Sequence, residues 1–375
     1  MKVYADNAAT TQMSKTAINA MLPYFDNIYG NPSSLYTIGQ EAKEALEDAR
    51  NRIAACLGCT PREITFTSGG SEADNQAIRS AALNGAKKGK KHIITTAFEH
   101  HAVLHTLKRL EGEGFEVTYL DVRHNHNITA QQVKDAIRPD TCLVTTMYAN
   151  NEIGSILPIP EIGEICREAG VVFHTDAVQA AGHVPINVVD QHIDMLSLSG
   201  HKFRGPRGTG VLYVKKGITL EPLVYGGGQE RGMRPGTEAV PNIAAFAKAC
   251  EIRMAHFDED YAHVQELADY LKQQVSAELP DAVINGEGDI PHVVNLSMPG
   301  CKSEVMLHVL EGDEVYISSG SACSKGKQSG VLKALGLPKA RTDSALRVSF
   351  APFNTKEDVD AFVAAVKKGA KMFRR

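Results

Sequence analysis

Short hydrophobic runs alternate with amphipathic stretches along the first two thirds of the chain. The runs are rich in Val, Ile, Leu and Thr, which predicts strands, and the stretches between them place apolar residues at helical spacing. The predicted strands cover residues 64–67, 92–96, 117–120, 143–147, 171–176, 196–199 and 210–214. Such alternation is typical of a mainly parallel sheet covered by helices on both faces. The pattern therefore predicts an α/β fold built on a seven-stranded, mainly parallel sheet.

The pattern changes after residue 214. One long amphipathic helical stretch is predicted over about residues 243–279. Strands near residues 293–297 and 345–350 follow, together with helices near residue 303 and from residue 355 onward. We expect these elements to form a smaller α+β domain. The predicted division is a large domain (16–255), a small C-terminal domain (256–375) and an N-terminal segment (1–15) that packs with the small domain.

Composition narrows the class of protein. The 375 residues are 43% hydrophobic and 22% charged, which is typical of a globular chain with more than one domain. No apolar run approaches the roughly 20 residues that span a bilayer, and the first residues lack a signal-like apolar segment. The net charge of −4 gives no electrostatic reason to expect direct binding of nucleic acid. Seven cysteines without framework spacing predict free thiols and a cytoplasmic location.

Two predicted strands end on residues that suit a particular cofactor. The strand at residues 171–176 ends on Asp176, and the strand at residues 196–199 leads into a polar turn that contains Lys202. The carboxyl ends of parallel strands meet at one edge of a sheet, where ligands collect. An amine can form a Schiff base with the aldehyde of pyridoxal 5'-phosphate (PLP), and a carboxylate can keep its pyridine nitrogen protonated. The pair therefore indicates a PLP enzyme.

A turn between the first strand and the next helix could hold the phosphate of such a cofactor. Residues 67–72 read Thr-Ser-Gly-Gly-Ser-Glu, with two glycines at the start of a helix. Exposed backbone N–H groups and the helix dipole favour anions there, and glycine lets the backbone approach closely. Many turns of this kind bind nothing, so the prediction depends on Lys202 and Asp176.

Three further residues are candidates with open alternatives. His100 follows a strand end, where an imidazole could stack on the cofactor ring and carry protons, or could be a structural histidine. Arg347 lies in an alternating strand, where it could bind a substrate carboxylate or face solvent. Cys323 lies in a polar, glycine-rich segment near lysines that would favour a thiolate, so we expect a reactive thiol on a mobile loop. Cys56 and Cys59 form a CxxC without a second pair, and no metal site is expected.

Several motifs in a fixed order resemble a known family nearly from end to end. They include Asp-Asn-Ala-Ala-Thr-Thr at residues 6–11, Asn-Asn-Glu-Ile-Gly at 150–154, Ser-Gly-His-Lys at 199–202 and the segment from Ser318 to Cys323. In this order the set is similar to the cysteine desulfurases that donate sulfur for iron–sulfur and nitrogenase cofactors. These enzymes belong to the class-V aminotransferase family of fold-type I PLP-dependent enzymes, so the resemblance implies that fold.

The resemblance also implies roles around the cofactor ring. Lys202 would carry the cofactor as a Schiff base, Asp176 would pair with the pyridine nitrogen, and His100 would stack on the ring. Gln179 and Asn151 would contact the ring oxygen, and Asn151 would also lie beside the substrate. Lys202, His100 and the reactive cysteine would be the catalytic residues.

Further roles are implied for the phosphate and the substrate. Arg347 would bind the carboxylate of free L-cysteine, and the Cys323 thiolate would attack its sulfur, leaving L-alanine and a persulfide on Cys323. The phosphate of the cofactor would be held by Gly70, Ser71, Ser199, His201 and, from the other subunit of a homodimer, Thr237.

The physiological sulfur acceptor and two other functions remain open at the level of sequence. An iron–sulfur scaffold protein and a tRNA-thiolation enzyme are equally plausible acceptors. A selenocysteine lyase or another PLP-dependent β-lyase would share Lys202 and Asp176 but could act without a thiol nucleophile. A non-catalytic sulfur-relay or scaffold partner would need none of these groups, and the intact set of Lys202, Asp176 and His100 disfavours it.

Overall fold

A seven-stranded sheet runs through the larger part of the protein, whose computed structural model describes residues 2–124, 126–320 and 328–373. The strands of the described residues, numbered along the chain, are β1 (Val3–Tyr4), β2 (Ile64–Thr67), β3 (His92–Thr96), β4 (Glu116–Leu120), β5 (Thr141–Met147), β6 (Val172–Asp176), β7 (Met195–Ser199), β8 (Gly210–Val214), β9 (Val283–Asn285), β10 (Val293–Ser297), β11 (Val315–Tyr316) and β12 (Ala345–Ser349).

The helices cover both faces of this sheet and the smaller sheet beyond it. Numbered in the same way, they are α1 (Lys15–Met21), α2 (Pro23–Asp26), α3 (Thr37–Leu57), α4 (Gly70–Ala86), α5 (His101–Glu111), α6 (Ala130–Ala136), α7 (Ile159–Ala169), α8 (Val240–Ala255), α9 (Phe257–Glu278), α10 (Ser303–Gly312), α11 (Gly330–Ala334), α12 (Lys339–Thr342) and α13 (Lys356–Phe373).

The large sheet has the strand order β2-β8-β7-β6-β5-β3-β4. Only β8 runs antiparallel to its neighbours within this sheet, so the carboxyl ends of the other six strands share one edge. All seven residues of β5 are buried, as expected for a strand covered on both faces. The predicted strands and the mainly parallel arrangement are thus confirmed.

Two hydrophobic cores occupy opposite faces of the sheet. Leu143 and Met195 pack in the core beneath α4 and α5, whereas their neighbours Val144 and Leu196 pack in the core that contains residues of α3, α7 and α8. Successive residues of a strand point to opposite faces, so the continuous hydrophobic runs in the sequence fill both cores.

A smaller unit follows along the chain. Strands β12, β10 and β9 form an antiparallel sheet in that order, and its core is completed by residues of α9, α10 and α13. The N-terminal strand β1 pairs in parallel with β11, and Val3 and Ala5 are buried in the same core. The first residues therefore pack against C-terminal elements. The residue numbers of the domain boundaries remain a prediction.

The prediction of one long helix over residues 243–279 is wrong in one respect. The segment forms two helices, α8 and α9, which meet at His256 with φ −111° and ψ 18°. Apolar residues keep a helical spacing on both sides of the break, so the hydrophobic periodicity does not reveal it. Three acidic residues at the start of α9 are a helix-start signal that could have revealed it: Asp258, Glu259 and Asp260.

A buried ion pair fixes a left-handed segment against the edge of the sheet. Both oxygens of Glu230 accept hydrogen bonds from Arg50 of α3, at 2.7 and 2.9 Å, and Oε2 also accepts from the backbone N–H of Phe66 in β2. Glu230 and Arg231 have φ of 47° and 60°, which is unfavourable for residues with a Cβ. The pair therefore stabilises a backbone conformation that the local sequence disfavours.

Replacement of one partner should destabilise the fold strongly. Glu230→Gln leaves the buried Arg50 guanidinium with only the half-exposed Glu47 as an acidic partner, so we expect the free energy of unfolding to fall by about 3 kcal/mol. The midpoint of urea unfolding measures this change. Lys87→Met is the matched control because it breaks an ion pair to Glu221 whose lysine side chain is 65% exposed, and it should cost less than about 1 kcal/mol. Equal midpoints for the two variants would contradict the expectation.

Candidate active site

A cavity of about 230 Å³ lies at the carboxyl edge of the large sheet. Met147, Asp176 and Ser199 are the last residues of β5, β6 and β7, and all three line it. Ligands of open α/β sheets bind at this edge. The sequence-predicted site residues that line the cavity are Gly70, Ser71, His100, Asn151, Asp176, Gln179, Ser199, His201, Lys202 and Arg347.

Lys202 projects its amine toward the N-terminal segment. Residues Gly200–Lys202 form a single 3-10 turn directly after β7. The Nζ atom of Lys202 donates to the backbone oxygens of Ala8 and Ala9, at 2.6 and 3.0 Å. These two alanines also line the cavity, so the N-terminal segment forms part of its wall and positions the amine.

Asp176 lies across the cavity in a dry environment. Its Oδ1 accepts a hydrogen bond from the backbone N–H of Val178 at 3.0 Å. Burial raises the pKa of Asp176, whereas His100, the Val178 N–H and Lys202 act in the opposite direction. A carboxylate at this position can therefore pair with a cationic group of a bound ligand, which would restore the charge balance lost on burial.

His100 caps the start of α5 and also faces the cavity. Its Nδ1 accepts a hydrogen bond from the backbone N–H of Ala102 at 3.1 Å. Burial lowers the pKa of His100, and Lys202 lowers it further against the opposing effect of Asp176. Because Nδ1 is an acceptor in a neutral ring, the proton resides on Nε2. The same ring is therefore a helix cap and a cavity residue, and its role beside a cofactor stays a prediction.

The start of α4 lies in the cavity wall and has the features of an anion site. A Cβ atom at Gly70 would lie 2.6 Å from Cγ2 of Val178, so glycine is required for this close packing. Ser71 follows at the N-terminus of the 17-residue helix, where N–H groups and the dipole favour negative charge. Ser199 and His201 also line the cavity. Burial, followed by the charge of Lys202, lowers the pKa of His201 to about 4.

Arg347 places a second cationic side chain in the wall of the cavity. It lies on β12 and is 1% exposed, which rules out the alternative of a surface arginine. Its Nη1 donates to the backbone oxygen of Asn151 at 2.9 Å, and its Nη2 donates to Oδ1 of Asp6 at 2.8 Å. Its Nε has no hydrogen-bond partner within the described part of the chain. The guanidinium is thus fixed in orientation and retains a buried donor for an anionic ligand.

One candidate residue within the described chain stands apart from the cavity. Thr237 is exposed and does not line it. Cys323 lies in residues 321–327, outside the described residues, so its prediction stays a prediction.

Two acidic residues of the cavity region were not predicted from the sequence. Asp74 lines the cavity, and its carboxyl oxygen lies within 4.8 Å of ligand atoms of both Asp176 and His100. Asp74 follows Gly70 by four residues in α4, so helical periodicity alone places it on the same face and could have revealed it. Asp6 belongs to a motif already noted, but its contact with Arg347 joins residues 341 positions apart, and no local pattern reports it.

The comparisons with known proteins now decide the family. Residues 3–362 match the family model described as Aminotransferase class-V. The chain belongs to this family. A relative from Methanosarcina thermophila, named cysteine desulfurase IscS, is 47% identical over 368 residues, which cover 97% of this chain and 91% of the relative. Class-V enzymes of this type depend on PLP, so the chain is a PLP-dependent enzyme.

Solved structures of the class-V family share the whole fold. A structure described as a NifS-like protein superimposes with a TM-score of 0.92 at 35% identity and covers 98% of this chain and 99% of its own. A second, described as SspA in complex with cysteine, gives a TM-score of 0.82 at 37% identity and covers 94% of this chain and 100% of its own. The fold-type I architecture expected from the sequence is therefore confirmed.

The cavity of this class-V chain fits the cofactor by the chemistry of its donors. An amine, a buried carboxylate and a neutral imidazole face one space, and a helix N-terminus with a required glycine closes its end. The Oε1 atom of Gln179 is buried without a hydrogen-bond partner within the described chain, while its Nε2 donates to Ala8. A bound group with a polar ring substituent would supply that missing contact.

The buried histidines of the sheet predict how stability depends on pH. Burial lowers the pKa of His174 to about 3, and its ring bonds to Thr145 at 2.8 Å and Ser197 at 3.0 Å. The folded protein keeps this ring neutral, whereas the unfolded chain protonates it below about pH 6.5. We therefore expect the free energy of unfolding to fall as the pH drops below about 6.5, by up to about 1.4 kcal/mol per pH unit for this ring.

The variant His174→Asn should show a shallower dependence of unfolding free energy on pH in this range, measured by urea unfolding at a series of pH values. His308→Asn is the control because that ring is 83% exposed. A slope unchanged in His174→Asn would show that the ring is not held neutral.

Proposed function

We propose that the protein is a cysteine desulfurase, which removes sulfur from L-cysteine to give L-alanine and a persulfide on Cys323. The observation that carries this proposal is the buried Arg347, which shares one cavity with Lys202, Asp176 and His100. A carboxylate-binding group opposite a PLP site is what an amino acid substrate requires. The relative named cysteine desulfurase and the related structure with bound cysteine support the same substrate.

Each side of the cavity has a separate task in this proposal. Lys202 holds the cofactor covalently, Asp176 faces its pyridine nitrogen, and His100 stacks on its ring. Gln179 and Asn151 contact the ring oxygen. The phosphate is bound by the N-terminus of α4 and its neighbours: Gly70, Ser71, Ser199 and His201. When bound, PLP supplies an electron sink for bonds at the substrate Cα and Cβ.

Arg347 orients the substrate. Asp6 and the Asn151 backbone oxygen fix the plane of the guanidinium, so the substrate carboxylate meets donors that need no reorganisation. With its carboxylate held there, the amino group of L-cysteine points toward Lys202. The released Lys202 amine then accepts the Cα proton, and the His100 ring, which carries its proton on Nε2, can exchange protons with substrate atoms above the cofactor.

Sulfur transfer needs no outside oxidant. The Cys323 thiolate forms an S–S bond with the substrate sulfur while the bond between that sulfur and Cβ breaks. The electron pair of the broken bond would stay on the substrate carbon skeleton, and protonation at Cβ would give alanine. The transferred sulfur keeps its proton and becomes the outer sulfur of a persulfide on Cys323, from which an acceptor takes it.

A second copy of the chain completes the proposed phosphate site. Thr237 is exposed here and lies outside its own cavity, as expected for a residue that serves the partner subunit. Large apolar side chains are exposed in two separate parts of the sequence, and a homodimer could cover them: Leu22, Phe25, Tyr29, Leu35, Tyr36, Val224 and Tyr225.

The proposal extends to the setting of the reaction. No helix within the described residues is long and apolar enough to cross a membrane. We infer that the enzyme is cytoplasmic and that its domain boundaries lie after residues 15 and 255. The sulfur acceptor is either an iron–sulfur scaffold or a tRNA-thiolation enzyme. The net charge of −4 supports delivery through a protein partner without direct binding of nucleic acid.

The decisive test replaces the proposed nucleophile. Cys323→Ala should lose sulfide release from L-cysteine in the presence of a reductant, because no thiol remains to take the sulfur. Cofactor absorbance should be unchanged. Mass spectrometry of the unmodified protein after incubation with L-cysteine should show one added sulfur on the peptide that contains Cys323.

Cys301→Ala is the matched control, since that thiol is buried in the core of the smaller unit and does not line the cavity. It should keep full activity. Sulfide release that persists in Cys323→Ala would contradict the proposal and favour a selenocysteine lyase or another β-lyase. Absence of cofactor absorbance in the wild-type protein would favour a non-catalytic relay partner.

A second test addresses the substrate carboxylate. Arg347→Gln removes a charge-assisted pair, so we expect kcat/KM for L-cysteine to fall about 100-fold, which corresponds to about 3 kcal/mol. The cofactor absorbance should remain, which separates this loss from misfolding. Arg109→Gln is the control because it removes a guanidinium that is 76% exposed on α5. A kcat/KM for Arg347→Gln within about twofold of wild type would exclude the proposed role.

A further inference from the structure

Asp74 is a second buried carboxyl group in the cavity wall, and the reaction above gives it no role. It lies one turn into α4 and is 1% exposed. Its oxygen, an oxygen of Asp176 and a ring nitrogen of His100 all lie within 4.8 Å of one another. Two carboxyl groups therefore stand side by side where the cofactor's pyridine nitrogen is proposed to bind.

The groups that face Asp74 supply no fixed positive charge. They are Asp176, His100, Glu99, Ser197 and His174. The Ser197 hydroxyl acts to lower the pKa of the carboxyl group, and the nearest imidazole nitrogen, Nε2 of His174, lies 3.8 Å from Oδ1. The His174 ring is neutral, as shown above, and it relays hydrogen bonds from Ser197 to Thr145. On the side away from the cavity, Asp74 therefore faces a series of hydrogen-bonded neutral groups.

The two carboxyl groups differ in their capacity to hold charge. Asp176 has a backbone N–H donor from Val178 and the favourable fields of His100 and Lys202. Asp74 has the Ser197 hydroxyl, but its Oδ1 is buried without a hydrogen-bond partner within the described chain. Burial, followed by the charge of Asp176, raises the pKa of Asp74 well above its usual range. One proton shared by such a pair resides on the carboxyl group that has fewer hydrogen-bond donors and less favourable nearby charges.

We propose that Asp74 is a positioning residue that remains a neutral carboxylic acid, with its proton facing Asp176, so that the pair presents a single negative charge to the pyridine nitrogen. This inference rests on the proposed role of Asp176 toward the cofactor, but not on the identity of the amino acid substrate. A neutral acid at Asp74 avoids a second buried negative charge and still offers a donor that orients the Asp176 carboxylate.

Infrared spectroscopy of the holoenzyme tests the protonation state directly. Protein labelled with ¹³C at the side-chain carboxyl of aspartate should show a carboxylic-acid C=O band near neutral pH, and Asp74→Asn should lose it. The label distinguishes Asp74 from Glu99, whose pKa burial raises to about 8 and which can give a similar band. Asp140→Asn is the control, because the Arg138 guanidinium lowers the pKa of Asp140, and that variant should lose no such band.

Two variants of similar shape separate charge from hydrogen bonding. Asp74→Asn keeps a neutral donor, so the dissociation constant for PLP and the pH at which the visible absorbance of the cofactor changes should match wild type. Asp74→Leu has no donor, and we expect about tenfold weaker PLP binding from loss of one hydrogen bond to a charged group. Arg109→Gln again controls for surface change.

Two results would overturn the inference. One is an infrared spectrum in which Asp74→Asn loses no carboxylic-acid band. The other is an absorbance transition shifted to lower pH in Asp74→Asn, since that shift means that the wild-type residue contributes a negative charge. These readouts do not use turnover of L-cysteine, so failure of the proposed desulfurase activity with these spectra intact would leave the assignment of Asp74 standing.

Discussion

The contact between Arg347 and the N-terminal segment connects the two halves of the site. Asp6 accepts from Arg347 on β12, while the carbonyl groups of Ala8 and Ala9 accept from Lys202 after β7. A cationic group from the small sheet and an amine from the large sheet are therefore positioned by one short stretch of backbone. This arrangement matters because a substrate carboxylate and the reacting amine must be held at a fixed separation.

Burial determines how strongly the charge of Asp176 acts in the cavity. Asp176 ends a buried strand and is itself only 7% exposed, so little solvent supports its charge. The imidazole of His100 lies beside it, and burial lowers the pKa of that ring. In such surroundings a cationic ring nitrogen gains more from a single carboxylate than it would in water. The same dry wall makes a second charge costly, which explains why the state of Asp74 matters.

Sequence patterns predicted the groups that lie at strand ends better than the groups that depend on distant contacts. Lys202 and Asp176 could be found because parallel strands deliver their carboxyl ends to one edge, whatever the details of packing. Arg347 could be named but not placed, because its burial depends on Asp6 at the other end of the chain. The short strands β1, β9 and β11 left no periodic pattern. The break at His256 was hidden because apolar spacing is the same on both sides.

The position of the N-terminal segment has a consequence for how cofactor and substrate sites depend on each other. Asn7 bonds to the backbone of Ser349 on the strand that carries Arg347, and Thr11 bonds to the backbone of His201 beside the anion site. A movement of the small sheet would therefore shift Asp6 and the alanine carbonyl groups together. Because Gln179 also donates to Ala8, the wall beside the proposed ring oxygen would move with them. Carboxylate capture by Arg347 and the geometry around Lys202 are thus properties of one connected wall.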